Sequence, residues 1–191
     1  MNVAIKYRGC LDDLNRMDEF INEVAAIADE LGCASTLIQP NLDKTRSPFP
    51  RGIKIYLGSS CSPLLFLFNK TGVLIPEVED TEHFVTVRIY DQIYSMHTLV
   101  VRLLRYLQKT YMSNLTVKDP TGYWRHEDFE KLKRNYLKRA RTLSAVHRVL
   151  ANRANTELLT ASEGLALEHA AAQLTRRLQQ VLQRRIEQSK L

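Results

Sequence analysis

Asp91, Tyr94 and His97 fall close together in the stretch YDQIYSMH and form the one constellation in this sequence suited to acid–base work. An imidazole changes charge near neutrality, and a neighbouring carboxylate or phenol can orient it, so this trio would serve a small hydrolase or transferase. A structural reading competes with it. A helix starting near Ser95 as N-cap puts His97 in its first turn as an ordinary polar residue, and Asp91 suits the turn before it.

The other reactive residue types are sparse. Cys10, Cys33 and Cys61 are odd in number, widely separated and without metal-ligand spacing, which predicts reduced, structural thiols. A nucleophilic Cys61 in the turn SSCSP would need an activating partner that the sequence does not name. Glu77, Glu79, Asp80 and Glu82 cluster in PEVEDTEH without the glycine turn of a calcium loop, so a solvated connection is expected, with docking of a basic segment as the alternative. Lys44, Arg46 and Arg51 lie in the proline-rich loop PNLDKTRSPFPRG, where mobility or a ligand contact are the two readings. No phosphate loop, zinc-protease, serine-hydrolase or nucleic-acid signature of defined spacing is present, and no cofactor or metal is implied.

The elements that must position these residues follow from periodicity. Val3, Ile5 and Tyr7 alternate as a strand. From Asp12 or Asp13, the residues Leu14, Met17, Ile21, Val24, Ala28 and Leu31 recur at helical steps, closed by Gly32. Strands are expected at 34–38, in GIKIYLG and in PLLFLFN, with Asn69-Lys70-Thr71-Gly72 turning the last into VLI. The stretch FVTVRIY is a further strand. A helix over Ser95–Met112 carries the stripe Met96, Leu99, Val100, Leu103, Leu107 and Tyr111. A short strand NLTVKD and the turn PTGYW complete an α+β unit, a two-layer sandwich of a mainly antiparallel sheet covered by two helices on one face.

An all-α extension follows. Residues 1–125 hold 14 Lys+Arg and 14 Asp+Glu, whereas residues 126–191 hold 13 against 7, so the whole net charge of +6 lies in the second part. This predicts an α+β domain over 1–125 and a basic helical extension over 126–191. In the extension Phe129, Leu132, Tyr136, Ala140, Leu143 and Leu150 share one side of a helix. The basic side carries Lys131, Arg134, Lys138, Arg141 and Arg148. Thr160 and Glu163 are spaced as a capping box for a last helix, in which Leu167, Leu174, Leu178 and Val181 form a heptad-like seam opposite Arg176, Arg177 and Arg184. That helix is expected as half of a helical hairpin or as a dimerisation arm.

Two functions follow from the charge division besides the hydrolase. The first is a non-catalytic interaction protein, its α+β scaffold carrying a basic amphipathic arm for oligomerisation or for docking a protein partner. The second is nucleic-acid binding by the same arm. No run approaches the roughly 18 apolar residues of a membrane span and the start lacks an apolar signal region, so a cytoplasmic protein with no membrane contact is expected.

Overall fold

A computed structural model describes residues 3–40, 50–77, 83–90, 93–138 and 161–188. Among them are six strands, β1 (Val3–Arg8), β2 (Ala34–Ile38), β3 (Arg51–Tyr56), β4 (Leu64–Phe68), β5 (Val85–Ile89) and β6 (Thr116–Lys118). The helices are α1 (Met17–Glu30), α2 (Tyr94–Thr110), the single turn α3 (Tyr123–His126), α4 (described over 129–138) and α5 (Ala161–Gln188). The chain is an α+β fold with a C-terminal helix. No helix among the described residues is long and apolar enough to cross a membrane.

The strands form two three-stranded antiparallel sheets in place of the single sheet expected. In the first, β1 lies in the middle, with Ile5 opposite Val87 of β5 and Tyr7 opposite Val117 of β6. Its period-two pattern buries Val3, Ile5 and Tyr7 and exposes Arg8. In the second, β2, β3 and β4 lie in sequence order as antiparallel neighbours, while Val73 and Leu74 of the expected returning strand VLI form isolated bridges to Cys10 and Phe68. Gly52 of β3 is there by necessity: a Cβ at this position would sit 2.0 Å from the carbonyl oxygen of Phe66 on β4.

A side chain takes the place of a ladder where the sheets meet. The buried Tyr7 hydroxyl donates to the Leu65 carbonyl at 2.6 Å and accepts from the Leu65 N–H at 3.2 Å, satisfying both backbone groups on the free edge of β4. Two backbone stitches flank it. Ser62 N–H donates to Arg88 of β5 at 2.7 Å, and Leu74 N–H, after the hairpin, donates to Gly9 at 2.9 Å.

The helix boundaries are shifted from expectation at both N-termini. Asp13 caps a 3-10 turn, Leu14–Arg16, through the Asn15 N–H at 2.9 Å, so α1 begins at Met17 and Leu14 stays exposed. The helix then buries Met17, Phe20, Ile21, Val24, Ile27 and Ala28 and packs on β2 and β3. Ser95 is not the cap of α2. The N-cap is Ile93, whose side chain accepts nothing, and Ser95 lies inside the first turn.

The buried arc of α2 is wider than one stripe. Besides Met96, Leu99, Val100, Leu103 and Leu107, it buries His97, Thr98, Val101 and Leu104. The cause is α5, which lies along α2, with Ala171, Leu178, Val181 and Leu182 joining the same core as the strands. Leu167 and Leu174 pack half-buried against it. The seam that the heptad spacing suggested is thus occupied by α2 of the same chain.

Candidate functional site

His97 is fully buried, and its carboxylate partner among the described residues is Asp119; Asp91 lies outside them. Three connected elements bring the cluster together. The first turn of α2 supplies His97, the turn after β6 supplies Asp119 and Thr121, and α4 supplies Tyr136. His97 Nε2 stands 3.3 Å from Asp119 Oδ2 and 3.2 Å from Thr121 Oγ1, while Nδ1 stands 3.1 Å from the Tyr136 hydroxyl. The rings of Tyr123 and Tyr136 meet the imidazole edge-on, at centroid distances of 6.0 and 5.9 Å.

Thr121 Oγ1 gives its only hydrogen to Asp119 Oδ1 at 2.7 Å, so it accepts from His97 and Nε2 carries a proton. Nδ1 faces the Tyr136 hydroxyl. Asp119 also accepts from the backbone N–H groups of Thr121 and Trp124, each at 2.8 Å. Burial alone would raise its pKa, but the hydrogen bond and charge of His97, with the Trp124 and Thr121 bonds, hold the carboxyl well below the usual carboxylate range.

A carboxylate, an imidazole and a phenol in a row have the composition of a proton relay, yet each polar atom here is already matched to another. The imidazole is sealed at both nitrogens and cannot reach a substrate. Its effect is to tie α2, the 119–122 turn and α4 into one body. Tyr94 stays out of this cluster: its ring packs on Phe129 and Tyr136, and burial followed by Glu168 raises its phenol pKa. Cys61 is buried too, and that burial pushes its thiol up to about 12, which suppresses the thiolate a nucleophile requires.

Beside this cluster a cleft of about 430 Å³ opens between α2 and α5. Arg102 and Arg105 of α2 and Arg176 of α5 line it, with Thr98, Thr175, Gln179, Glu127 and the apolar Val101, Tyr123, Phe129 and Ala172. Arg105 is fixed in place. It ion-pairs with Glu127, donates to the Trp124 carbonyl and lies under the Trp124 ring, 5.1 Å from its centroid. Arg102 donates to Gln179 Oε1 at 2.8 Å, and among the described residues Arg176 has neither hydrogen-bond nor ion-pair partner.

Polar contacts anchor α5 at both ends of this cleft. Glu168 accepts from the Ser95 hydroxyl and from the Ser95 N–H at 3.3 Å, and so caps the start of α2 from another helix. Burial raises the Glu168 pKa, offset in part by these bonds. Thr175 donates to the Ser95 carbonyl at 2.9 Å. At the other end Arg185 pairs with Glu23 at 2.5 Å and also with Glu30, while Arg184 pairs with Glu30 at 3.0 Å.

The predicted basic residues therefore have separate fates. Arg134, Lys138, Arg176 and Arg177 are exposed, Arg184 is tied to α1, and Arg141 and Arg148 lie outside the described residues, as do Ala140, Leu143, Leu150 and Thr160. Arg185 locks α5 to α1 through Glu23 and Glu30. The acids that receive the basic helix are Glu23 and Glu30. Glu77 pairs with Lys54 at 2.8 Å, and Glu79, Asp80 and Glu82 are outside the described residues. Arg51 pairs with Asp18, whereas Lys44 and Arg46 lie outside them. No His, Cys, Asp and Glu grouping among the described residues is arranged to hold a metal ion.

Comparison with protein-family models, with curated proteins and with solved structures finds no match to this chain.

Proposed function

We propose that the chain is a non-catalytic interaction protein, in which residues 1–125 are the scaffold and residues 126–191 the arm, and which docks an acidic protein partner at the α2–α5 side. The observation that carries this reading is the uncompensated positive charge of the cleft. Arg105 and Glu127 neutralise one another, which leaves Arg102 and Arg176 without a carboxylate among the described residues. Phe129, 39% exposed, adds an apolar contact on the same wall. Paired positive and aromatic groups are typical of surfaces that steer and then hold a partner of opposite charge. The three cysteines, all free, suit a reducing compartment, and we place the protein in the cytoplasm.

Nucleic-acid binding draws less support, because a phosphate backbone is held by a track of free cations. Arg184 and Arg185 are spent on Glu23 and Glu30, and Arg105 on Glu127. Self-association through Leu167, Leu174, Leu178 and Val181 is disfavoured by their packing on the chain's own core. Hydrolysis by His97 is disfavoured by its enclosure.

The test is fluorescence anisotropy of the full-length chain with a labelled Glu-rich peptide and, separately, a labelled DNA duplex, each at low and at physiological salt. The expected result is peptide binding that weakens with salt and duplex binding that is much weaker throughout. Absence of peptide binding at low salt, or duplex binding with the steeper salt dependence, overturns the reading.

A further inference from the structure

We infer that the α2–α5 cleft is itself a peptide-binding pocket, which takes an acidic side chain of a partner polypeptide between Arg102 and Arg176 together with an apolar side chain beside it. This inference rests on the proposed function and assigns it a site. The volume of about 430 Å³ lies within the range of pockets that enclose a compact ligand.

The lining distinguishes a peptide from a simple anion. Arg102, Arg176 and, through its Nε2 hydrogens, Gln179 offer donors, as a carboxylate or a phosphate would require equally. The hydroxyls do the opposite. Thr98 Oγ1 donates to the Tyr94 carbonyl at 3.2 Å, and Thr175 Oγ1 donates at 2.9 Å to the Ser95 and Ala171 carbonyls, so neither hydroxyl has a hydrogen left for an anion.

Inorganic phosphate has no apolar surface to set against the Val101, Ala172 and Phe129 part of the wall. A polypeptide supplies a Glu or Asp carboxylate for the arginines and an apolar neighbour for that wall. Apolar walls from Ala172 and Phe129 add room for a neighbouring apolar side chain. Arg105 is excluded from the binding pair because Glu127 and the Trp124 carbonyl already hold it.

Arg176 and Arg177 give a matched test. Both are exposed on α5, and only Arg176 lines the cleft. The probe is a labelled peptide of Glu, Phe and Gly, titrated into the full-length chain at low salt, with inorganic phosphate as competitor. Arg176→Glu is expected to weaken binding by about tenfold or more, and Arg177→Glu by no more than about twofold. Arg102→Gln should also weaken it, and circular dichroism of each variant should match the parent.

Equal losses in Arg176→Glu and Arg177→Glu would mean that the arm attracts acids only by its overall charge, which overturns the pocket while leaving the proposed function standing. Displacement of the peptide by phosphate at comparable concentration would identify an anion site and overturn the peptide assignment. Failure of the parent chain to bind any acidic peptide overturns both.

Discussion

Asp119 Oδ2 lies 3.3 Å from His97 Nε2, with both side chains closed to solvent, and this pair fastens the start of α2 to the turn that follows β6. The buried carboxylate so matched is a source of stability and of pH dependence.

Because the folded Asp119 carboxyl is held below the usual range, its contribution is present above about pH 4 and is lost as the pH falls through the depressed folded value. Glu168, raised by burial, acts with the opposite sign: its burial is less costly once it is protonated, so it favours the fold as the pH falls. Asp119→Asn should cost about 2 kcal/mol near neutrality, since its amide would turn a donor toward the Trp124 N–H or His97. It should also flatten the acid limb of a plot of Tm against pH. An unchanged acid limb would assign the acid sensitivity elsewhere.

Leu178 is fully buried against α2, so Leu178→Ala should lower stability by about 3 kcal/mol, measured by urea unfolding, and leave the sedimentation mass of the folded protein unchanged. Had this leucine served a coiled coil between two chains, the same substitution would lower the mass.

The tie at the far end of α5 can be loosened alone. Arg185→Ala removes the pairs to Glu23 and Glu30, whose partners are largely shielded at the Glu23 end, and should cost about 2 kcal/mol. Hydrogen exchange should quicken in the last turns of α5 before it does in β1. Uniform quickening would argue against a separable latch.

Period-two and helical spacing were enough to find β1, β3, α1 and α2, and an unbroken apolar run was enough to find β4, because each signal is local. The partners of His97 and Ser95 were not legible in this way. Asp119 reads as a turn residue in DPTGYW, and Glu168 caps a helix 73 positions away, a relation that no spacing rule contains. Val101 and Leu104 did widen the apolar arc of α2 beyond one stripe, which was a readable sign that a second element covers it. The seam of α5 has the same spacing whether it meets α2 or another copy, so only the packing separates those readings. Tyr7 was legible as a core residue, but its hydroxyl's place on the edge of β4 depends on how the two sheets meet.

Gly52 is the position where the second sheet has no tolerance. Gly52→Ala would press a methyl group into the Phe66 carbonyl and should cost about 3 kcal/mol, read as a fall in Tm. A variant as stable as the parent would mean that β3 and β4 can move apart without loss.

Thiol reactivity offers an independent check on burial. With its pKa pushed up to about 12, Cys61 should resist iodoacetamide at mildly alkaline pH in the folded protein and react fully in urea, as read by peptide mass spectrometry. Rapid native labelling would contradict the packing around the 60–62 stitch.

Docking of an acidic partner in the cleft between α2 and α5 is read out by amide chemical shifts of the full-length chain titrated with the Glu, Phe and Gly peptide. The largest changes should fall on Thr98, Arg102, Ala172, Arg176 and Gln179 and saturate together. Changes concentrated on Arg134 and Lys138, or spread over all exposed cations without saturation, would contradict it.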